Sequence, residues 1–295
     1  MKDLSLSSDY DTMLKNSVHG GVAYLQENPG IKSLIIGISG GVDSAVVAAL
    51  SRQIANHMAA TTDREIKICG YSLIIFGNKP DEIKRAKVVG ETYCDEFIEE
   101  DLSDTFMSVF DGIDPLLYTR YLEFDNFSTL TDTEKIRAGN IKARVRMIYL
   151  YNKAQEQKGL VLSTDNLTEY NLGFWTLHGD VGDFGLIQNL WKTEVYGMGD
   201  IIGGPVTDCV RAIPTDGLGI TNSDIDQLLP DWTSEKGDHR AAYKIIDEIL
   251  IDHLSELGTF SSDNPVIQRY RTTHFKRKNP VNIKRDMLLW HFNSL

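Results

Sequence analysis

Cysteine is scarce, with three in 295 residues: Cys69, Cys94 and Cys209. They stand far apart and show no metal-ligand spacing, so neither a disulfide framework nor a cysteine zinc site is expected, and reduced thiols are. Long apolar runs are also missing. Stretches such as Leu34-Ile35-Ile36 are far too short to span a bilayer. The first residues, Met1 to Tyr10, are polar and hold no signal-peptide core. A cytoplasmic protein with no membrane partner is the expectation. Positive charge is in deficit, 30 Lys and Arg against 42 Asp and Glu, for a net charge of -12. Nucleic-acid binding needs a basic face that releases phosphate counterions, so the acidic balance argues against general nucleic-acid binding. A small anion held in a local basic pocket is not excluded. There is no internal repeat or low-complexity tract, and no Ser–His or Cys–His pairing that would signal covalent catalysis.

What is present is an alternation of short apolar runs with amphipathic segments. Leu14, Val18, Val22 and Leu25 recur at helical spacing within Ser8 to Asn28, and Pro29-Gly30 ends that helix. Strands are expected at Lys32 to Ile38, Glu65 to Ile75, Glu96 to Glu99 and Gly159 to Ser163. Helices are expected at Ala45 to Met58, Asp81 to Tyr93, Asn140 to Gln157, Thr193 to Ile202 and His239 to Leu257, with a short one at Ser223 to Leu229. Asp111 to Lys135 reads as a long polar surface loop, and Asp263 to Leu295 as a tail with one basic cluster. Strands alternating with helices of ten or more residues predict an α/β fold. The expected architecture is a doubly wound parallel sheet with helices on both faces, in a single domain spanning residues 1–295.

The first strand runs into Gly37-Ile38-Ser39-Gly40-Gly41-Val42-Asp43-Ser44 and then a helix. Ligands bind at the carboxyl ends of strands in open parallel sheets. The glycines let backbone approach a phosphate, Ser39 and Ser44 offer hydroxyls, and the first helical amides favour an anion. Asp43 opposes phosphate unless a magnesium ion lies between them. The loop lacks Gly-Lys-[Ser/Thr], so it is not a Walker A motif. It resembles the pyrophosphate loop of ATP enzymes that adenylate a substrate, a group that includes GMP, asparagine, argininosuccinate and NAD synthetases.

Further along, Lys142, Arg144 and Arg146 sit in Gly139-Asn140-Ile141-Lys142-Ala143-Arg144-Val145-Arg146-Met147. Lys142 and Arg146 share a helix face, Arg144 points elsewhere, and Met147 and Ile148 are expected nearer the core. The strand Leu160 to Ser163 then leads to Thr164-Asp165-Asn166-Leu167-Thr168-Glu169, followed by Gly173-Phe174-Trp175-Thr176 and Gly179-Asp180. In this order the segments resemble NAD synthetase, with further matches at Leu190 to Tyr196, Ile213-Pro214-Thr215 and His274 to Arg277. The likeness runs from about Val18 to Ile283.

That resemblance implies the adenine nucleotide alpha hydrolase-like, Rossmann-like fold. It implies ATP on Gly37 to Ser44 (Gly37, Ile38, Ser39, Gly40, Gly41, Val42, Asp43 and Ser44), with Thr164, Lys192 and Thr215. Magnesium is implied at Asp43 and Glu169, and deamido-NAD at Arg144, Asp183, Phe275 and Lys276. Asp43, Lys192 and Lys276 are the implied catalytic residues. The implied reaction is ATP-dependent amidation of deamido-NAD by ammonia through an adenylate, within NAD biosynthesis, in a homodimer. The helix from Asn140, with Val145, Ile148, Tyr149 and Tyr151, faces either a partner subunit or the core. About thirty residues precede the first strand, too few for a glutaminase domain, so free ammonia or a separate ammonia donor is expected.

Departures from the family pattern are Leu73 to Gly77 near the adenine, Leu177 in place of a common lysine, Gly217 to Thr221 as a shortened loop, and Phe275 in place of a histidine. Two other readings share the loop. One is another adenylating amide ligase. The other is an inert nucleotide-binding relative, which the intact Asp43 and Glu169 disfavour.

Overall fold

The computed structural model describes residues 4–76, 78–124, 130–214, 224–230, 232 and 238–278. Five parallel strands form one sheet: β1 (Ser33–Gly37), β2 (Lys67–Ile74), β3 (Glu96–Asp101), β4 (Gly159–Ser163) and β5 (Phe184–Gly185). Their spatial order is β3-β2-β1-β4-β5. Ile35 of β1 lies opposite Cys69 on one side and Val161 on the other. All three are completely buried, as expected for strands covered on both faces. The chain order reverses between β1 and β4, which puts a crevice beyond their carboxyl ends.

One face is covered by α1 (Tyr10–Glu27), α2 (Val42–Thr61), α3 (Pro80–Tyr93), α8 (Lys192–Ile202), α9 (Val206–Arg211) and α11 (His239–Leu254). Alanines and valines of α2 are buried along most of its length, which lets this helix lie against β1. The other face is covered by α4 (Ser103–Ile113), α5 (Pro115–Phe124) and α6 (Asp132–Glu156). Short helices α7 (Leu167–Leu172), α10 (Asp224–Leu228), α12 (Pro265–Thr272) and α13 (His274–Arg277) complete the described chain. No described helix is long and apolar enough to cross a membrane.

The expected surface loop over Asp111 to Lys135 is instead largely helical where described. Phe106 and Phe110 of α4 are both fully buried, four residues apart, and their rings stack at 5.3 Å. Leu117 and Tyr121 repeat that spacing on α5. Burying two Phe rings contributes about 1.5–3 kcal/mol each, which helps to hold two short helices that leave Ile113, Leu116 and Leu122 exposed on the outside. The long helix α6 also starts earlier than expected. Thr131 accepts from Glu134 N–H, and the Glu134 carboxylate accepts from Thr131 N–H at 2.9 Å, closing a capping box. Ile148 is 68% exposed rather than nearer the core, while Met147 packs against it. Val145 is buried, so α6 serves the core on one side and leaves Ile148 and Tyr151 outside.

Candidate active site

Ser39 and Ser44 close the turn after β1 on itself. The Ser44 hydroxyl, buried beneath the turn, accepts from Ser39 N–H and donates to Gly41 O, both at 3.2 Å. Ser39 Oγ accepts from Gly41 N–H at 3.3 Å. Gly40 adopts φ +83, and a Cβ there would lie 2.2 Å from the carbonyl oxygen of Glu82 on α3. Only glycine meets both demands. The turn ends as α2 begins, so the unsatisfied amides of that helix face the crevice.

Beside the turn, the tip of β4 delivers a second set of side chains. Asn166 caps α7 by accepting from Glu169 N–H at 3.0 Å. Its amide donates to Asp43 Oδ1 at 2.9 Å, linking the two strand tips. Lys192, the first residue of α8, is almost fully buried. Its ammonium pairs with Asp43 Oδ2 and, at 3.0 Å, with Glu169 Oε1. Burial alone would lower the pKa of this lysine, but the two carboxylates outweigh burial and hold it well above the ordinary range. Thr168 fixes the start of α8: its hydroxyl accepts from Lys192 N–H at 2.8 Å and donates to Asp247 Oδ1 at 2.5 Å. Burial pushes the Asp247 carboxyl up to about 6, against the pull of its Thr168 and Thr193 hydrogen bonds.

The turn and the tip of β4 border one cavity of about 740 Å³. Gly37, Ile38, Ser39, Gly41, Val42, Asp43, Thr164, Glu169 and Lys192 all contribute to its wall. Gly40 and Ser44 build the turn from behind. Lys142 and Arg146 enter the cavity from α6. Lys142 Nζ donates to Phe76 O at 2.7 Å, and burial with Arg146 nearby lowers it to about 8. Arg146 donates to Leu73 O at 3.0 Å and Asn78 Oδ1 at 3.1 Å. Asp180 also lines the wall, its carboxyl raised by burial while it accepts from Thr176 N–H at 2.7 Å. Behind it, Asp165 is raised well above the carboxylate range by burial and by the charges of Glu169 and Asp180.

Besides Gly40 and Ser44, four more expected residues lie outside this cavity wall. Arg144 is exposed and donates to Asn140 O at 3.1 Å and Leu177 O at 2.8 Å. Asp183 accepts from the Tyr151 hydroxyl at 2.8 Å. Phe275 is 59% exposed. Lys276 Nζ, half-buried, donates to Gly173 O and Trp175 O at 2.6 and 2.5 Å. Arg277 Nη1 donates to Asn171 O at 2.5 Å and Arg269 Nε to Leu172 O at 3.0 Å. Three cations from the C-terminal segment thus satisfy the last carbonyls of α7 and the residues just after it. Thr215 and the shortened loop Gly217 to Thr221 lie outside the described residues. Asn166 and Arg85, not singled out from the sequence, sit at the centre and on the flank of the turn.

A parallel sheet with its crevice at the switch point, and a phosphate turn without a Walker lysine, define a nucleotide-binding α/β enzyme. The family follows from comparison: residues 14–280 match the model of the NAD synthase family, and the chain belongs to it. The NH(3)-dependent NAD(+) synthetase of Thermoplasma acidophilum is 31% identical over 264 residues, 86% of this chain and 91% of that protein. Among solved structures, the NMN synthetase of Francisella tularensis superposes with TM-score 0.71 at 22% identity, covering 95% of this chain and 99% of that one. The NAD+ synthetase of Burkholderia pseudomallei gives 0.63 at 23% identity, covering 94% and 93%. At such identity these two show a shared fold.

Proposed function

We propose that the chain joins ammonia to the nicotinate carboxylate of deamido-NAD at the expense of ATP, giving NAD, AMP and pyrophosphate. The convergence of the phosphate turn, Asp43, Glu169 and Lys192 at the switch point carries this reading, in a chain of the NAD synthase family. A carboxylate oxygen attacks the α-phosphorus, the bond from that phosphorus to the bridging oxygen breaks, and pyrophosphate leaves with the electron pair. Ammonia then attacks the acyl carbon. The bond to the phosphate oxygen breaks, AMP leaves, and nitrogen gives up a proton. Asp180, its carboxyl raised by burial, lines the cavity as an acceptor for that proton.

The work of the protein is positioning and charge neutralisation. Amides of the turn and of α2 receive the phosphates. Lys192 presents its ammonium beside them. Two carboxylates that converge on one buried ammonium form a place where a cation is balanced, and their oxygens suit a hard divalent ion. Among the described residues no group of three or more His, Cys, Asp and Glu side chains could hold a metal alone. Asp43 and Glu169 would therefore hold magnesium jointly with phosphate oxygens. When bound, magnesium offsets phosphate charge.

Ammonia is taken free or from a separate protein, in keeping with the name of the Thermoplasma relative. Exposed Ile148 and Tyr151 on α6 suit a homodimer contact, with Arg144 and Asp183 beside it completing the dinucleotide site. The reaction belongs in the cytoplasm.

The test is to incubate purified protein with ATP, magnesium, ammonium and deamido-NAD and to follow NAD and AMP. The mononucleotide counterpart is run alongside, because Leu177 replaces a lysine common at the dinucleotide site. AMP release dependent on deamido-NAD is expected. ATP binding without AMP release contradicts the proposal.

A further inference from the structure

We infer that Arg85 is a pyrophosphate-binding arm, a residue that braces the turn with one side of its guanidinium and holds the β- and γ-phosphates with the other. The inference rests on the reading of the cavity as an ATP site. Arg85 projects from α3 into the cavity wall. Its Nε donates to Gly40 O at 2.9 Å. That carbonyl belongs to the one residue of the turn with a left-handed backbone, and α3 is packed so closely there that a Cβ on Gly40 would strike Glu82 O. Arg85 therefore holds the turn at its most constrained point. The same hydrogen bond fixes the plane of the guanidinium.

No described residue accepts from Nη1 or Nη2 of Arg85. A guanidinium has five N–H donors in a rigid fork, and an anion with paired oxygens is its natural acceptor. Three other cations in the wall have described acceptors, whereas Lys79, just before α3, has none for its ammonium. Lys192 is held between Asp43 and Glu169, Lys142 donates to Phe76 O, and Arg146 donates to Leu73 O and Asn78. The bound nucleotide brings about four negative charges into a wall that already carries Asp43, Glu82, Glu169 and Asp180. Arg85 reaches the turn from α3, at Gly40, whereas Lys192 reaches it from α8, at Asp43. Arg85 would thus grip the leaving group rather than the nucleoside, and make affinity depend on phosphate number.

Titration calorimetry with inorganic pyrophosphate and, separately, with AMP tests this on the full chain, with no carboxylate substrate needed. Arg85→Gln is expected to weaken pyrophosphate binding about tenfold or more, the loss of a charge-assisted contact, and AMP binding less than about twofold. Arg85→Lys keeps the charge without the fork and is expected to lose about threefold on pyrophosphate alone. Should Arg85→Gln not fold, Arg85→Lys decides. Unchanged pyrophosphate affinity overturns the inference. Equal losses for pyrophosphate and AMP also overturn it, because they mean that Arg85 only shapes the turn. Failure of the ATP reading itself shows separately, as wild-type protein that binds neither probe.

Discussion

Replacing Lys192 with Met probes the centre of the site. The change keeps side-chain length and removes the ammonium between Asp43 and Glu169. Both carboxylates are largely shielded from water, with side-chain exposures of 17% and 20%. Two carboxylates roughly 5 Å apart repel by about 3 kcal/mol at an effective dielectric of 20. Removing one partner from a buried ion pair typically costs 3–5 kcal/mol, roughly the same size. For a chain of 295 residues that corresponds to a melting temperature about 5–8 °C lower. A divalent cation between the same carboxylates should offset the loss. Thermal unfolding is therefore measured at neutral pH, with and without magnesium, for both proteins. The variant is expected to melt well below wild type without magnesium and to regain most of the difference with it. A variant as stable as wild type without magnesium, or one that magnesium leaves unchanged, refutes the argument that these two acids share one cation.

Gly40→Ala should cost about 1–3 kcal/mol of stability through its left-handed backbone and its clash with Glu82, and should weaken ATP binding; wild-type unfolding and affinity would contradict this. Asp247 binds its proton more tightly folded than unfolded, because burial raises it to about 6. Its favourable contribution is complete below pH about 4 and is lost as pH rises through about 6, for a total near 3 kcal/mol. Urea midpoints across that range should fall for wild type, and the fall should be smaller in Asp247→Asn; equal slopes would remove the assignment. Lys276→Ala should raise the KM for deamido-NAD more than that for ATP, because its contacts lie at Gly173 and Trp175 rather than on the phosphate turn. An effect confined to ATP would place the C-terminal segment on the wrong ligand.

The sheet was legible wherever a strand is buried on both faces. Leu34-Ile35-Ile36 and Leu160-Val161-Leu162 can be read directly, because short, β-branched apolar runs bounded by glycine and polar residues fit a covered parallel strand. β5 could not be read, since two residues carry no period. α4 and α5 were hidden by Pro115 between them and by exposed apolar residues such as Leu116 and Leu122 that blur the pattern, although Phe106/Phe110 and Leu117/Tyr121 do keep helical spacing. In the site, Ser39 to Ser44 could be read because a glycine turn between strand and helix has few other uses. Glu169 and Lys192 entered through family resemblance, and only the fold shows them meeting Asp43 on one ammonium. Asn166 and Arg85 act through contacts across 123 and 45 positions of the chain, and no local pattern announces such pairings. Lys142 and Arg146 were placed on one face by helical arithmetic, and both do reach the cavity, whereas Arg144 does not.

Exchange of labelled pyrophosphate into ATP tests the adenylation chemistry most directly. With magnesium and deamido-NAD present and ammonia withheld, label should enter ATP, and it should not do so when deamido-NAD is omitted. Absence of exchange, or release of ADP and phosphate in place of AMP, would contradict an enzyme that cleaves ATP at its α-phosphate.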